Sequence, residues 1–239
     1  MSKVFLVTGG NKGIGKEIVK QLGLHGHTVY LGARNVEEGR NIAEAFEASG
    51  LDVRFVYIDL TDVNSQKEAA DHIKSKSGLL DGLINNAGMI NDFDLASSVS
   101  LESLRETFET NYFGTVMVTQ NMLSLLRAGE HKVIVNVSTG LGSMAMHGDP
   151  SWPFHGTNPL AYNSSKAALN MFTVLLAKEL RAEGFRVNSV SPGWIATDLG
   201  GEQAPGIPEE GAAIAVECAL EGNDSQTGLF RTTGGTIPW

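Results

Sequence analysis

Short β-branched runs recur along this chain, separated by helical patterns, and that alternation limits its possible architecture more than any other feature. Candidate strands are KVFLVT (3–8), HTVYLG (27–32), DVRFVYI (52–58), GLIN (82–85), KVIVNV (132–137) and FRVNSV (185–190), with GLFRTT (228–233) a weaker seventh. Helical patterns fill the intervals at about 14–25, 36–49, 64–77, 101–127, 161–183 and 209–220. Repeated strand–helix–strand units imply right-handed crossovers and a doubly wound parallel sheet with helices on both faces, the Rossmann architecture. The later strands lack polar alternation, as strands covered on both faces do. Over 101–127, Leu101, Leu104, Phe108, Tyr112, Val116 and Thr119 are spaced to form one buried helix face.

The 239 residues suit one α/β domain, and 42% hydrophobic content is ample for its core. No run approaches the ~20 apolar residues of a membrane span. MSKVFLVTGG passes from one lysine straight into a strand pattern with no cleavage site, so no signal peptide is expected. A lone cysteine, Cys218, on the apolar helix AAIAVECAL, reads as a core residue of a protein from a reducing compartment, here the cytoplasm. A net charge of −9 with no basic run argues against nucleic-acid binding.

The first strand leads into TGGNKGIGKEIVKQL, in which Gly9, Gly13 and Gly15 lie between strand and helix. Glycine there permits a tight turn, close approach of backbone to a pyrophosphate, and helix-on-strand packing. The helix N-terminus adds free N–H groups and a positive dipole end. Asn11, Lys12 and Ile14 belong to the same candidate phosphate loop. At the end of the second strand, in VYLGARN, Ala33 stands where an NAD site would place a carboxylate, and Arg34 follows it. Arg34 and Lys12 flank the expected ribose, which favours NADP(H).

In AYNSSKAALNMF, Tyr162 precedes Lys166 by four residues, one turn apart on a single helix face. Together with TGGNKGIG (8–15), NNAG (85–88), Asn111 in TNYFGT, YNSSK (162–166) and PGWIATD (192–198) make five motifs in fixed order. On these the chain resembles the short-chain dehydrogenase/reductase family along nearly its whole length. TGGNKGIG, GARN and SPGWIATDLGG look closest to that family's NADPH-dependent carbonyl reductases. The resemblance implies a single domain with seven parallel strands ordered 3-2-1-4-5-6-7. In such a reduction a hydride leaves the nicotinamide, and charge grows on a carbonyl oxygen that needs a proton donor. The resemblance makes Tyr162 that donor, tuned by Lys166, which also binds the nicotinamide ribose, while Asn111 holds a water leading to Lys166. It places Asn86, Ala87 and Gly88 along ribose and pyrophosphate, and Asp59 and Leu60 beside adenine. Pro192 and Gly193 would shape a turn, with the Ile195 backbone meeting the carboxamide and Thr197 the amide or the pyrophosphate. Asn85 and Asn86 also admit a purely structural role, holding the fourth strand to its neighbours.

The family's catalytic serine position reads VNVST here, aligning Thr139 with that hydroxyl and Ser138 just before it. Strand alternation turns the two side chains apart, so only one is expected to face substrate; Thr139 is the preferred candidate. The long segment 139–160 carries Met144, Met146, Trp152, Phe154, His147 and His155. Met144, Trp152 and Phe154, with Trp194 from a second loop over about 194–210, are candidate walls of an apolar substrate pocket; a satellite core pinning the loop is the other reading. The two histidines lack companions for a metal site. The expected partners are a small ketone, aldehyde or alcohol, no membrane, and a second copy forming a homodimer or homotetramer through helices 101–127 and 161–183. An alcohol dehydrogenase working oxidatively, and a dinucleotide sensor without turnover, are the competing functions.

Overall fold

The computed structural model describes residues 2–91, 93–222 and 225–239. Eight strands form one sheet ordered β3-β2-β1-β4-β5-β6-β7-β8. They are β1 Val4–Thr8, β2 Thr28–Ala33, β3 Val53–Tyr57, β4 Gly82–Asn85, β5 Val133–Val137, β6 Arg186–Ser191, β7 Phe230–Thr232 and β8 Gly235–Thr236. The first seven run parallel in the order the family resemblance implies. The eighth, two residues long, pairs antiparallel with β7 through Arg231–Thr236 and Thr232–Gly235, so the expectation of seven strands is one short. A two-residue strand has too little pattern to be visible in a sequence.

Helices α1 (Gly13–Leu24), α2 (Val36–Ala48) and α8 (Pro208–Leu220) pack on one face of the sheet. Ile18, Val19, Leu22, Ala43 and Ala215 meet Val7, Leu31 and Val135 there. Helices α3 (Val63–Ser77), α5 (Thr115–Ala128) and α7 (Leu160–Glu179) cover the other face, where Ile73, Val118, Met122 and Leu176 meet Leu6, Leu83 and Ile134. Cys218 lies in the first of these cores, 1% exposed, and burial pushes its thiol up to about 12, the state of an inert core residue.

The region 101–127 is not one uniform helix. α4 (Leu101–Phe108) and α5 are joined by a π-helical turn over Glu109–Gly114. The apolar face expected from the sequence is corrected accordingly: Leu101 is exposed, and Leu104, Phe108, Tyr112 and Val116 are only half-buried. The buried stripe is Ser103, Thr107, Asn111, Thr115, Val118 and Met122. It begins polar because the Ser103 and Thr107 hydroxyls donate to Asn91 Oδ1 at 2.9 and 2.8 Å, and the wider turn shifts the phase of α5 against α4. The segment 139–160 is also more ordered than its lack of periodicity suggests, with a 3₁₀ turn over Gly140–Gly142 followed by the short helix α6 (Met144–His147).

Candidate active site

Because the seven long strands are parallel, their carboxyl ends share one edge, where such sheets bind ligands. The glycine turn leaves β1 there. Gly9 and Gly13 have φ of +65° and +52°. A Cβ on Gly15 would lie 2.1 Å from the Gly9 carbonyl oxygen and 2.4 Å from Asn86 Nδ2, which no side chain tolerates. No side chain caps α1, so its first amides face the turn with the positive dipole end behind them. Asn86 Nδ2 donates to the carbonyls of Thr8 (3.0 Å) and Gly9 (3.2 Å), while Thr8 Oγ1 accepts from Asn86 N and Ala87 N, both at 3.1 Å. The NNAG segment thus holds β4 to the glycine turn, and the result is a backbone-lined cradle at the α1 N-terminus, a setting that suits an anion.

Gly88 leads from this turn to Lys166 and Asn111: a Cβ there would lie 3.3 Å from both Lys166 Nζ and Asn111 Oδ1. Lys166, 4% exposed, donates to the Val137 carbonyl at 2.9 Å, and its Nζ is 5.9 Å from the centroid of the Tyr162 ring. Burial pushes the Tyr162 phenol up to about 12 and lowers the Lys166 ammonium to about 8. In the protein alone, burial therefore outweighs the attraction of the nearby ammonium, and the phenol carries its proton at neutral pH. Asn111 is fully buried in the π turn. Its Oδ1 accepts from Met89 N at 2.8 Å, and its Nδ2 donates to the Met89 carbonyl at 2.8 Å and to Ser165 Oγ at 3.0 Å. It thereby clamps the chain after β4 onto α7, one residue from Lys166.

Ser138 and Thr139 follow β5 and diverge as alternation requires. Ser138 is 3% exposed, and its Oγ is buried without a partner. Thr139 is half-buried on the rim, where its Oγ1 accepts from Leu141 N at 3.3 Å.

At the ribose end Arg34 is exposed and makes no ion pair among the described residues. Lys12 pairs with Asp198 at 2.6 Å, both side chains exposed, and a Cβ on Gly13 would approach Thr197 Cγ2 to 3.2 Å. The segment after β6 therefore closes against the glycine turn. Asp59, assigned to adenine, uses its Oδ1 to accept from Thr61 N and Oγ1 at 2.9 and 2.8 Å, and Leu60 is buried against Gly114. Pro192 is half-buried and Gly193 turns at φ +87°; Ile195 is buried and bridges to Gly206.

Trp152, Phe154 and Trp194 meet in one edge-to-face ladder. Centroid spacings are 5.7 Å for Trp152–Phe154 and 5.9 Å for Phe154–Trp194, and His147 joins Trp152 at 5.1 Å. Met144 stands apart from the ladder, 73% exposed. The sequence reading overlooked Asp198, which lay within PGWIATD, and Glu38, whose carboxylate accepts from Asn11 Nδ2 at 2.8 Å. Asn35 capping Glu38 N was the available signal for a carboxylate on that turn. It also overlooked a buried polar relay running from Asn85 to Asn136 (2.8 Å), on to Thr173 (2.8 Å) and Ser189 (2.8 Å), which joins β4, β5, α7 and β6. Among the described residues no group of His, Cys, Asp and Glu could hold a metal, and no helix is long and apolar enough to cross a membrane.

The family model of the short chain dehydrogenases matches residues 3–207. The short-chain dehydrogenase anuI of Penicillium roqueforti is 35% identical over 228 residues, covering 92% of this chain and 90% of that protein. Carbonyl reductase [NADPH] 1 of Homo sapiens is 30% identical over 265 residues, covering 93% and 92%. The NADPH-bound carbonyl reductase from chicken fatty liver superposes with a TM-score of 0.88 at 25% identity, over 100% of this chain and 99% of that one.

Proposed function

The chain belongs to the short chain dehydrogenase family, and from that premise we propose that it is an oxidoreductase using NADPH to reduce a small, fairly apolar ketone or aldehyde. The observation that carries this reading is the burial of Tyr162 and Lys166 together, one helical turn apart, against the end of the glycine cradle. When bound, the nicotinamide supplies the hydride. Tyr162, protonated at neutral pH, gives its proton to the substrate oxygen as charge builds there. Thr139 Oγ1, half-buried just after β5, would donate a hydrogen bond to the same oxygen. Lys166, held by the Val137 carbonyl, carries positive charge beneath the phenol and steadies the phenolate that proton transfer leaves. Asn111 fixes the spacing between the chain after β4 and α7 on which that pair depends.

Glycine-loop amides and the α1 N-terminus would hold the pyrophosphate, and Arg34 would meet the 2′-phosphate. The relatives that share this layout and are named for NADPH support that choice. The Trp152–Phe154–Trp194 ladder supports an apolar substrate wall. Exposed Leu101, Phe113, Met171 and Leu175 support assembly of copies through the helices of 101–127 and 161–183.

The test is loss of cofactor absorbance with NADPH and with NADH across aromatic ketones, aliphatic ketones, diketones and aldehydes, with Tyr162→Phe beside the wild type. NADPH-dependent turnover that drops about 10²- to 10⁴-fold in kcat for the variant, with NADPH affinity kept, is the expected result. Tight NADPH binding with no turnover of any carbonyl, or of any alcohol in reverse, overturns it in favour of a sensor. Arg34→Asp is expected to move preference from NADPH towards NADH; an unchanged KM for NADPH would remove Arg34 from the site.

A further inference from the structure

Helix α6 is too short to hold itself. Its first amides lack acceptors within the helix, and two of them are met from opposite directions. Ser143 Oγ accepts from Met146 N at 3.1 Å, and the Trp239 carbonyl accepts from Ala145 N at 3.2 Å. The fully buried Ser143 hydroxyl also donates to the Pro238 carbonyl. Trp239 lies flat on Phe230, ring centroids 5.4 Å apart at 19°, and Ile237 N donates to the Phe230 carbonyl at 2.8 Å. Phe230 is 1% exposed in β7 and registers with Ser189 of β6, so this end of the connection is anchored in the sheet.

The other end of α6 leads to the aromatic ladder. His147 Nε2 donates to the Leu141 carbonyl at 3.0 Å, and its ring meets the first ring of the ladder, Trp152, edge-on. The segment 148–159 between α6 and α7 has no sheet partner among the described residues, so its rings are held mainly by their neighbours. One line of contacts therefore runs from the sheet through Phe230, Trp239, α6 and His147 to Trp152, Phe154 and Trp194.

We propose that residues 237–239 are a strap that fixes the substrate wall, and that Trp239 is a positioning residue for substrate binding. For its substrate this rests on the reductase reading above; for the strap itself it rests on contacts alone. A wall held in place before substrate arrives saves the ordering cost at binding, so loosening the strap weakens substrate binding and leaves chemistry and cofactor alone.

The experiment uses the whole chain as wild type, Trp239→Ala and Trp239→Phe. Hydrogen exchange needs no turnover: it is expected to quicken over 143–155 in Trp239→Ala, to stay near wild type in Trp239→Phe, and to be unchanged in α1 and β1. With a ketone the wild type accepts, Trp239→Ala is expected to raise KM about five- to tenfold, the scale of one stacked ring pair, with kcat within about twofold and NADPH Kd unchanged. Unchanged exchange over 143–155 overturns the strap. Faster exchange without a rise in KM, or a joint loss of kcat, KM and NADPH affinity, overturns the positioning role. If the wild type reduces no carbonyl, the reductase reading falls, and exchange still decides the strap.

Discussion

Two adjacent hydroxyls follow β5, and their environments differ enough to predict which of them matters. Ser138 Oγ is sealed in without a partner, whereas Thr139 Oγ1 sits on the rim beside the 3₁₀ turn. Thr139→Ala is expected to lower kcat about 10²-fold through loss of a donor to the developing oxyanion, and Ser138→Ala to leave kcat within a few-fold. Steady-state kinetics on the two variants decides between them; the reverse ranking would assign the role to Ser138. At this scale much of the site was legible. Tyr162, Lys166, Asn111 and the three glycines are residue types whose chemistry or backbone freedom is demanded at their spacing. The pairings of Glu38 with Asn11 and of Asp198 with Lys12 were not legible, because the partners lie 27 and 186 residues apart in sequence, and long-range pairing leaves no local pattern even where the residues themselves sit in recognisable motifs.

The glycine turn and the π turn are the elements on which the site depends. An added methyl at Gly15 meets the Gly9 carbonyl at 2.1 Å, so the turn must open to admit it. Gly15→Ala is expected to weaken NADPH binding about ten- to a hundredfold, the cost of forcing a methyl into a closed contact. Fluorescence titration of NADPH measures this, and wild-type affinity in the variant would rule out the cradle. The π turn shows why element-level reading failed where it did. A 3.6-residue period carried through 101–127 selects Leu101, Phe108 and Tyr112, but the turn at Glu109–Gly114 breaks the phase and presents Asn111 inward. Asn111→Ala strands the backbone N–H and carbonyl of Met89 and removes a donor from Ser165 Oγ, which keeps its bond to the Tyr162 carbonyl, a loss of about 1–3 kcal/mol readable in thermal unfolding. An unaltered Tm would show the clamp to be idle.

Across the whole molecule, the doubly wound sheet and its two-faced core were legible because alternating βα units leave few alternatives, while the strand order came from the family resemblance. The path of residues 237–239 was not, since a few residues carry no period. A second feature of molecular reach lies at the amino ends of the strands. His131, 6% exposed, sits among Lys3, Arg186 and Asp81, its Nε2 donating to the Ala219 carbonyl at 2.7 Å while Arg186 Nη2 reaches its Nδ1 at 3.2 Å. Burial first, then Arg186 and Lys3, lowers His131 from its ordinary 6.5. The unfolded chain therefore binds more protons below about that pH, and stability falls as pH drops through it. His131→Gln is expected to flatten the fall of Tm between pH 7.5 and 5. Wild type and variant losing Tm in parallel would refute the assignment.

Parallel strands give this sheet two unlike rims: the proposed reactive pair belongs to the carboxyl rim, while His131, whose protonation is expected to cost stability in acid, lies at the amino rim, a strand's length away. The two can drift or be engineered independently. Substitutions at the amino rim are therefore expected to shift the pH range over which the chain stays folded while leaving the proposed reactive pair in place.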